Sequence, residues 1–427
     1  MVESSDPNWR ELNYPGFPPR VNHSSACDYE NYIIYSSGGF YVDAKAALEH
    51  NPMVELVVDI YQLKLRDFNP KWEMIYPNTA EPKYNRHTMP RHGHCMFLHK
   101  GKLVLIGGNG NNRRAMDVPA MLSVFNLETG AFEENVKQRG HIPIERDTHA
   151  CCQVGDLVYM HGGIERNHMS ILSTFSNELY SLDMNTYRWM LYPALGCSNE
   201  VHLMFHSLNY HNDRLYAFGG EYSPGDFFSS EHSNKVHYYD LQKGEWNPVV
   251  TQGVPPAPRR SHITLKFRGN LVVFGGACKE AAAFYNDIFF FNLQTNTWTE
   301  VIPSGKRPIA RRRCGYSLID DSLYIFGGIT PHPDTVSKNT LSRVFYHPHT
   351  ENMIDLHDMH VLSLDPTLKS LSMLTVLKNS LDESVLFLKL PFNLRKDYIK
   401  FKELRNVDQQ NSNIIACPDD FVTHEAM

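Results

Sequence analysis

The chain has 427 residues, 42% of them hydrophobic, with 41 Lys and Arg against 47 Asp and Glu and a formal net charge of −6. This mild acidity excludes the broad basic face of a nucleic-acid binder, and no apolar run reaches membrane-span length. Eight cysteines, none in a Cys-x-x-Cys pair, and no apolar N-terminal segment predict reduced thiols in a cytoplasmic protein, with the nucleus also open to it.

Residues 1–8 are polar and expected to be loose. Trp9 to Asn13 reads as a short strand. Arg20 and His23 open a unit whose second strand ends on Gly38-Gly39 and which reaches Trp72. An insertion, Tyr41 to Met53, interrupts it; Ala44 to Glu49 could form a helical turn before a strand at Val54 to Tyr61. The second unit runs from Arg91, His92 and His94 through Gly107-Gly108 to Phe132, and the third from Arg146 and His149 through Gly162-Gly163 to Trp189. The fourth opens with Phe205-His206 and lacks the Arg. After Gly219-Gly220 it carries a polar, aromatic loop, Glu221 to Asn234, and then Trp246.

The fifth unit is the most regular. Arg260 to Leu265, Leu271 to Gly276, Asn286 to Asn292 and the segment through Trp298 read as four strands, rich in β-branched and aromatic residues and bounded by turn residues. The sixth opens with Arg311-Arg312-Arg313, passes Gly327-Gly328, and carries a long loop from Thr330 to Leu356. A last strand, Asp358 to Leu364, follows, then Pro366.

Gly pairs recurring at intervals of roughly 50–70 residues are close to the period of kelch repeats. A single four-stranded sheet cannot bury both faces, so the copies must stack. The expected fold is all-β: a six-bladed kelch β-propeller with a short α-helical C-terminal segment. The sixth unit has no aromatic of its own, and Trp9-Arg10-Glu11-Leu12 matches Trp298-Thr299-Glu300-Val301. The N-terminal strand is therefore expected to complete the last blade and close the ring; the alternative is a frayed end with a stray Trp. The predicted divisions are residues 1–8 flexible, 9–366 propeller, 367–405 helical and 406–427 flexible.

No histidine has a carboxylate or cysteine at a spacing that defines a metal-ligand set, and no phosphate loop or nucleophile elbow is present. The repeat-opening histidines are expected to pack and hydrogen-bond within each blade. No catalysis, cofactor or metal is expected. The opening arginines, Arg91, Arg146, Arg259, Arg260 and Arg311 to Arg313, would converge at one end of the channel and make an anion-binding mouth. A guanidinium grips a carboxylate with two parallel hydrogen bonds, which suits an acidic side chain or a chain terminus. The competing reading pairs each Arg with a neighbouring acid or backbone group. For a peptide-binding mouth the expected residues are Arg260, Arg259, Arg146 and Arg312 for charge, Ser261 for a hydroxyl, and Tyr222 and Phe205 for the rim.

Beyond Pro366, Leu368, Leu371, Ser372 and Val376 fall near one helical stripe. This segment resembles an elongin C-binding box, with Ser372 where Cys is usual. Leu390, Pro391, Leu394 and Tyr398 match the pattern of a cullin-2 box. With Arg20-Val21-Asn22-His23, Arg259-Arg260-Ser261-His262, Pro308 to Arg313 and Leu381 to Ser384, the chain resembles the Peas-type, kelch domain-containing protein 3 family. That resemblance implies a substrate receptor of cullin-2–elongin B/C ubiquitin ligases, binding C-terminal degrons that chiefly end in glycine. It implies elongin C, elongin B and cullin-2 as partners, together with the C-termini of substrates. The charge balance and the lack of a span-length apolar run argue against membrane or direct nucleic-acid contact, and the resemblance leaves chromatin association open. Glu221 departs from the family pattern, which has an Arg at this place, and is expected to repel a carboxylate. Two rivals are a kelch scaffold on cytoskeleton or chromatin and an enzyme of the kelch oxidase or specifier type; fold alone does not separate them.

Overall fold

A computed structural model describes residues 7–42, 54–77, 86–110, 119–165, 174–196, 199–223, 230–332 and 353–364. The predicted helical turn at Ala44 to Glu49, and the C-terminal segment with Leu368, Leu371, Ser372, Val376, Leu390, Pro391, Leu394 and Tyr398, lie outside the described residues.

Among the described residues the structure is all-β, with a single three-residue 3-10 turn at Asn199–Val201. Each of the first five repeats folds into an antiparallel meander of four strands in chain order, to which the third adds Arg139–Gly140 as a parallel edge strand. In the fifth, Ile263–Phe267, Asn270–Phe274, Ile288–Asn292 and Thr297–Val301 pair successively. Its second strand is covered on both faces: Leu271, Val272, Val273 and Phe274 are at most 1% exposed. That explains a continuous apolar run in place of strict alternation. The first four sheets are built alike and begin at Ser24–Asp28, Cys95–His99, Ala150–Val154 and Ser207–His211. Tight hairpins join the strands. At Asn212-Asp213 both residues have positive φ, 47° and 55°, as a two-residue turn between right-twisted strands requires.

The sixth sheet joins the two ends of the described chain. Gly315–Ile319, Ser322–Phe326 and Met359–Ser363 pair in series, and Asn8–Leu12 adds antiparallel to Met359–Ser363 with Trp9 opposite Leu362. Trp9 is 1% exposed and lies 5.5 Å from the Phe274 ring of the fifth sheet. Trp298 of the fifth sheet stands in the same relation to Phe218 of the fourth, at 4.9 Å.

Six core clusters each span two sheets: first with second, second with third, third with fourth, fourth with fifth, fifth with sixth, and sixth with first. A Trp lies in five of these six boundaries; between the first and second sheets Phe125 and Phe132 take its place. The stretches after the Gly pairs, read from sequence as loops, carry small ribbons at their ends. Glu221–Tyr222 pairs with Glu231–His232, and Ile329–Pro331 with Met353–Asp355.

Candidate functional site

The first arginine of an opener is a brace. Arg259 donates to Gly275 O at 3.0 Å and holds both Asp287 oxygens at 2.6 and 2.8 Å. Arg311 does the same with Gly327 O and Asp358, Arg20 with Gly38 O and Asp59, and Arg91 with Gly107 O and Ser123. Arg146 reaches Gly162 O, Ser176 and Glu178. Arg91, Arg146, Arg259 and Arg311 are all 0% exposed. Arg146 and Arg259, expected at an anion-binding mouth, instead tie each opener to the end of the second strand and the start of the third.

Two residues further on, every repeat turns left-handed. Asn22, Gly93, Thr148, Phe205, Ser261 and Arg313 have φ between 55° and 66°. Their amides form a cycle. Gly93 N–H donates to Asn22 O, Thr148 to Gly93, Phe205 to Thr148, Ser261 to Phe205, Arg313 to Ser261, and Asn22 to Arg313, at 2.9–3.2 Å. A non-glycine residue at this φ is strained, and the strain is held by contacts from both neighbours. This cycle brings the openers together.

Within it a cationic, aromatic cluster forms on the fourth, fifth and sixth openers. Phe205 lies under two guanidinium groups, with Arg260 at 5.3 Å and Arg313 at 5.0 Å from its ring centroid. Arg312 is 1% exposed and sits over Phe284 at 5.2 Å. Arg260 pairs with Glu221, which also accepts from Ser230 and lies 3.9 Å from His232. Arg313 is half-buried, and its Nε is buried with no hydrogen-bond partner among the described residues. Burial, then the charge of Arg260, pull its pKa down to about 10, against the opposing pull of the Asp147 and Glu221 carboxylates. Ser261 Oγ is buried without a partner among the described residues, as is Arg260 Nε. Tyr222 is nearby in the chain, but its hydroxyl is engaged by Glu231 at 2.8 Å.

The structure therefore gathers Phe205, Arg260 and Ser261 of the predicted site, with Arg312 adjoining. It adds Arg313. The signal for Arg313 was present in the repeat: Phe205, Ser261 and Arg313 each stand 14 residues ahead of their Gly pairs. Glu221 is not a bare repulsive charge, because Arg260 neutralises it.

The opening histidines do not work within one sheet as expected. Each packs against the Gly pair of the sheet before it. A methyl placed on Gly219 would lie 2.7 Å from the His262 ring, and one on Gly162 2.9 Å from that of His206. Two groups of metal-capable side chains also meet, although nothing in their spacing foretold it: Cys95, His149 and Cys151, and His232, Cys278 and Glu280, with donor atoms within 4.8 Å of one another.

Three comparisons place this architecture. The family model described as the KLHDC2/KLHL20/DRC7 Kelch-repeats domain matches residues 93–328. Kelch domain-containing protein 3 of Mus musculus is 29% identical over 413 residues, covering 94% of this chain and 96% of the relative. Kelch domain-containing protein 2 of Bos taurus is 29% identical over 259 residues, 54% of this chain and 61% of that one. The solved structure titled "Structure of YjhT" matches with a TM-score of 0.53 at 19% identity, covering 74% of this chain and 92% of its own, a likeness of fold alone. With its repeated sheets, Gly pairs and Trp-faced cores, the chain is a kelch-repeat β-propeller protein and belongs to the KLHDC2/KLHL20/DRC7 kelch-repeats family.

Proposed function

We propose that the chain is a non-catalytic substrate receptor. In this reading its repeats form a six-bladed propeller closed by Asn8–Leu12, and the Phe205, Arg260, Ser261 and Arg313 cluster captures the C-terminal carboxylate of other proteins. The six two-sheet core clusters and the amide cycle support the closed ring. The tail after Pro366 then docks elongin C through Leu368, Leu371, Ser372 and Val376, and cullin-2 through Leu390, Pro391, Leu394 and Tyr398. Ubiquitin transfer is the work of the partners in the cytoplasm or nucleus; this chain supplies affinity and orientation. Glycine-ended tails are the expected class, since a residue without a side chain brings its carboxylate closest to a recessed cation.

One observation carries the reading. Arg313 is a half-buried cation whose Nε is buried with no hydrogen-bond partner among the described residues, beside a second cation and over an aromatic ring. A half-buried cation gains from an anion in direct contact, beyond the charge that Asp147 and Glu221 already bring near it. A chain-terminal carboxylate supplies that anion, and the Ser261 hydroxyl can donate to it.

The test is peptide binding to the purified full-length chain. Arg313→Met is expected to weaken a glycine-ended peptide at least about 30-fold, the range for truncating one partner of a buried charge pair. Unchanged affinity in a folded Arg313→Met protein would remove the site assignment. The docking half is tested separately: Leu368→Arg is expected to abolish co-purification of elongin B and C while leaving peptide affinity intact. Wild-type elongin recovery with that variant would refute the ligase role.

A further inference from the structure

We propose that Cys95, His149 and Cys151 bind a divalent transition-metal ion, with zinc as the favoured class, joining the first strands of the second and third sheets. Cys95 opens the Cys95–His99 strand; His149 directly precedes Ala150–Val154, which carries Cys151. The two strands belong to adjacent sheets that share one core. Their donor atoms, two Sγ and one ring nitrogen, all lie within 4.8 Å of one another. Both cysteines are half-buried and free of any disulfide. His149 is 6% exposed, and neither of its ring nitrogens has a hydrogen-bond partner among the described residues.

A buried imidazole with both nitrogens unanswered is not unique here. His23 and His94, its counterparts in other repeats, share that condition. What sets His149 apart is the pair of thiols at its edge; neither counterpart belongs to a metal-capable group. In this first group the Cys95 thiol reaches the backbone carbonyl of His149 at 3.8 Å, a long contact that metal ligation would replace; in the second, His232 and Cys278 both hydrogen-bond to Glu280, at 2.5 and 3.1 Å.

The donor set selects the ion. Two thiolates and one imidazole suit a borderline-soft cation and disfavour calcium and magnesium, which take oxygen ligands. Binding displaces one proton from each thiol, so the ion and two thiolates are together neutral. That neutrality suits a half-buried place near the fold's interior. Three protein donors leave a fourth position of a tetrahedron for water or an incoming group.

Cobalt(II) reports on such a site, because thiolate ligation gives a charge-transfer band that oxygen ligation lacks. The full-length chain, stripped with a chelator and kept reduced, is titrated with Co2+ against a competing chelator. The expected result is one tightly held ion per chain with the thiolate band, displaced by Zn2+. Cys95→Ser and Cys151→Ser should each weaken binding at least about tenfold, a loss already seen when only outer-shell partners of a metal are removed. Cys278→Ser should change nothing. Circular dichroism of each variant checks that it is folded. No thiolate band in the wild-type chain overturns the proposal. So does a band that survives Cys95→Ser and Cys151→Ser, or one lost only in Cys278→Ser.

Discussion

Three consecutive arginines, Arg311 to Arg313, meet three environments, and this is why their roles were only partly legible. The sequence told that guanidinium groups cluster at the repeat openers. It did not tell that the first is spent on Asp358 and Gly327 O, that the second stacks over Phe284, and that the third, in a left-handed turn, is left beside Phe205. Side-chain direction through a positive-φ residue does not follow the alternation of a strand, so period-two reasoning fails there. Glu221 has the complementary role. Its carboxylate occupies Arg260, and an arriving carboxylate must compete with it. Glu221→Gln removes that competition. It is expected to raise affinity for a carboxylate-ended peptide about 3–10-fold, roughly 1 kcal/mol, readable by calorimetry. A fall in affinity would mean that Glu221 orients Arg260 for the ligand and does not compete with it.

Strands, hairpins and Gly pairs could be read directly, since each repeat restates the same pattern. The ribbons after the Gly pairs could not. They are two or three residues long per strand, too short for any periodicity to register. The N-terminal strand was legible through one residue, Trp9, which matches the aromatic of the other repeats. Its burial between the fifth and sixth sheets gives a direct prediction. Trp9→Ala should lower stability by about 3–5 kcal/mol, the range for emptying a buried aromatic site. A chain truncated before Asn13 should lose at least as much. Denaturant unfolding measures both, and a loss of under about 1 kcal/mol would mean that this strand is not part of the cooperative core.

For the whole molecule, the repeats told which sheets are neighbours, but not which side chains meet across their boundaries. The cysteine and histidine groups arise from residues on separate strands, and only packing brings them together. The same packing sets the acid response. Burial pushes His23, His206 and His262 down to about 3. They stay neutral in the fold, whereas in the unfolded chain they take up protons near pH 6.5. The unfolded state therefore binds more protons between those values, and stability falls as pH drops below about 6.5 and keeps falling towards about 3. Each such histidine contributes a slope of up to about 1.4 kcal/mol per pH unit. Asp358 adds to the acid side: burial would raise it, but hydrogen bonds from His360 and Arg311 hold it well below the ordinary carboxylate range. The urea midpoint is predicted to fall clearly between pH 7.5 and pH 5.5; a constant midpoint would contradict buried neutral histidines.

On the proposed function, the openers of the fourth, fifth and sixth repeats hold a chain-terminal carboxylate. Calorimetry of the full-length chain with one glycine-ended peptide, prepared with a free carboxylate and as its C-terminal amide, asks this most directly. Amidation is expected to weaken binding at least about tenfold, or about 1.4 kcal/mol. Equal affinities for the two forms would contradict it and would favour a scaffold that grips its partners by another surface.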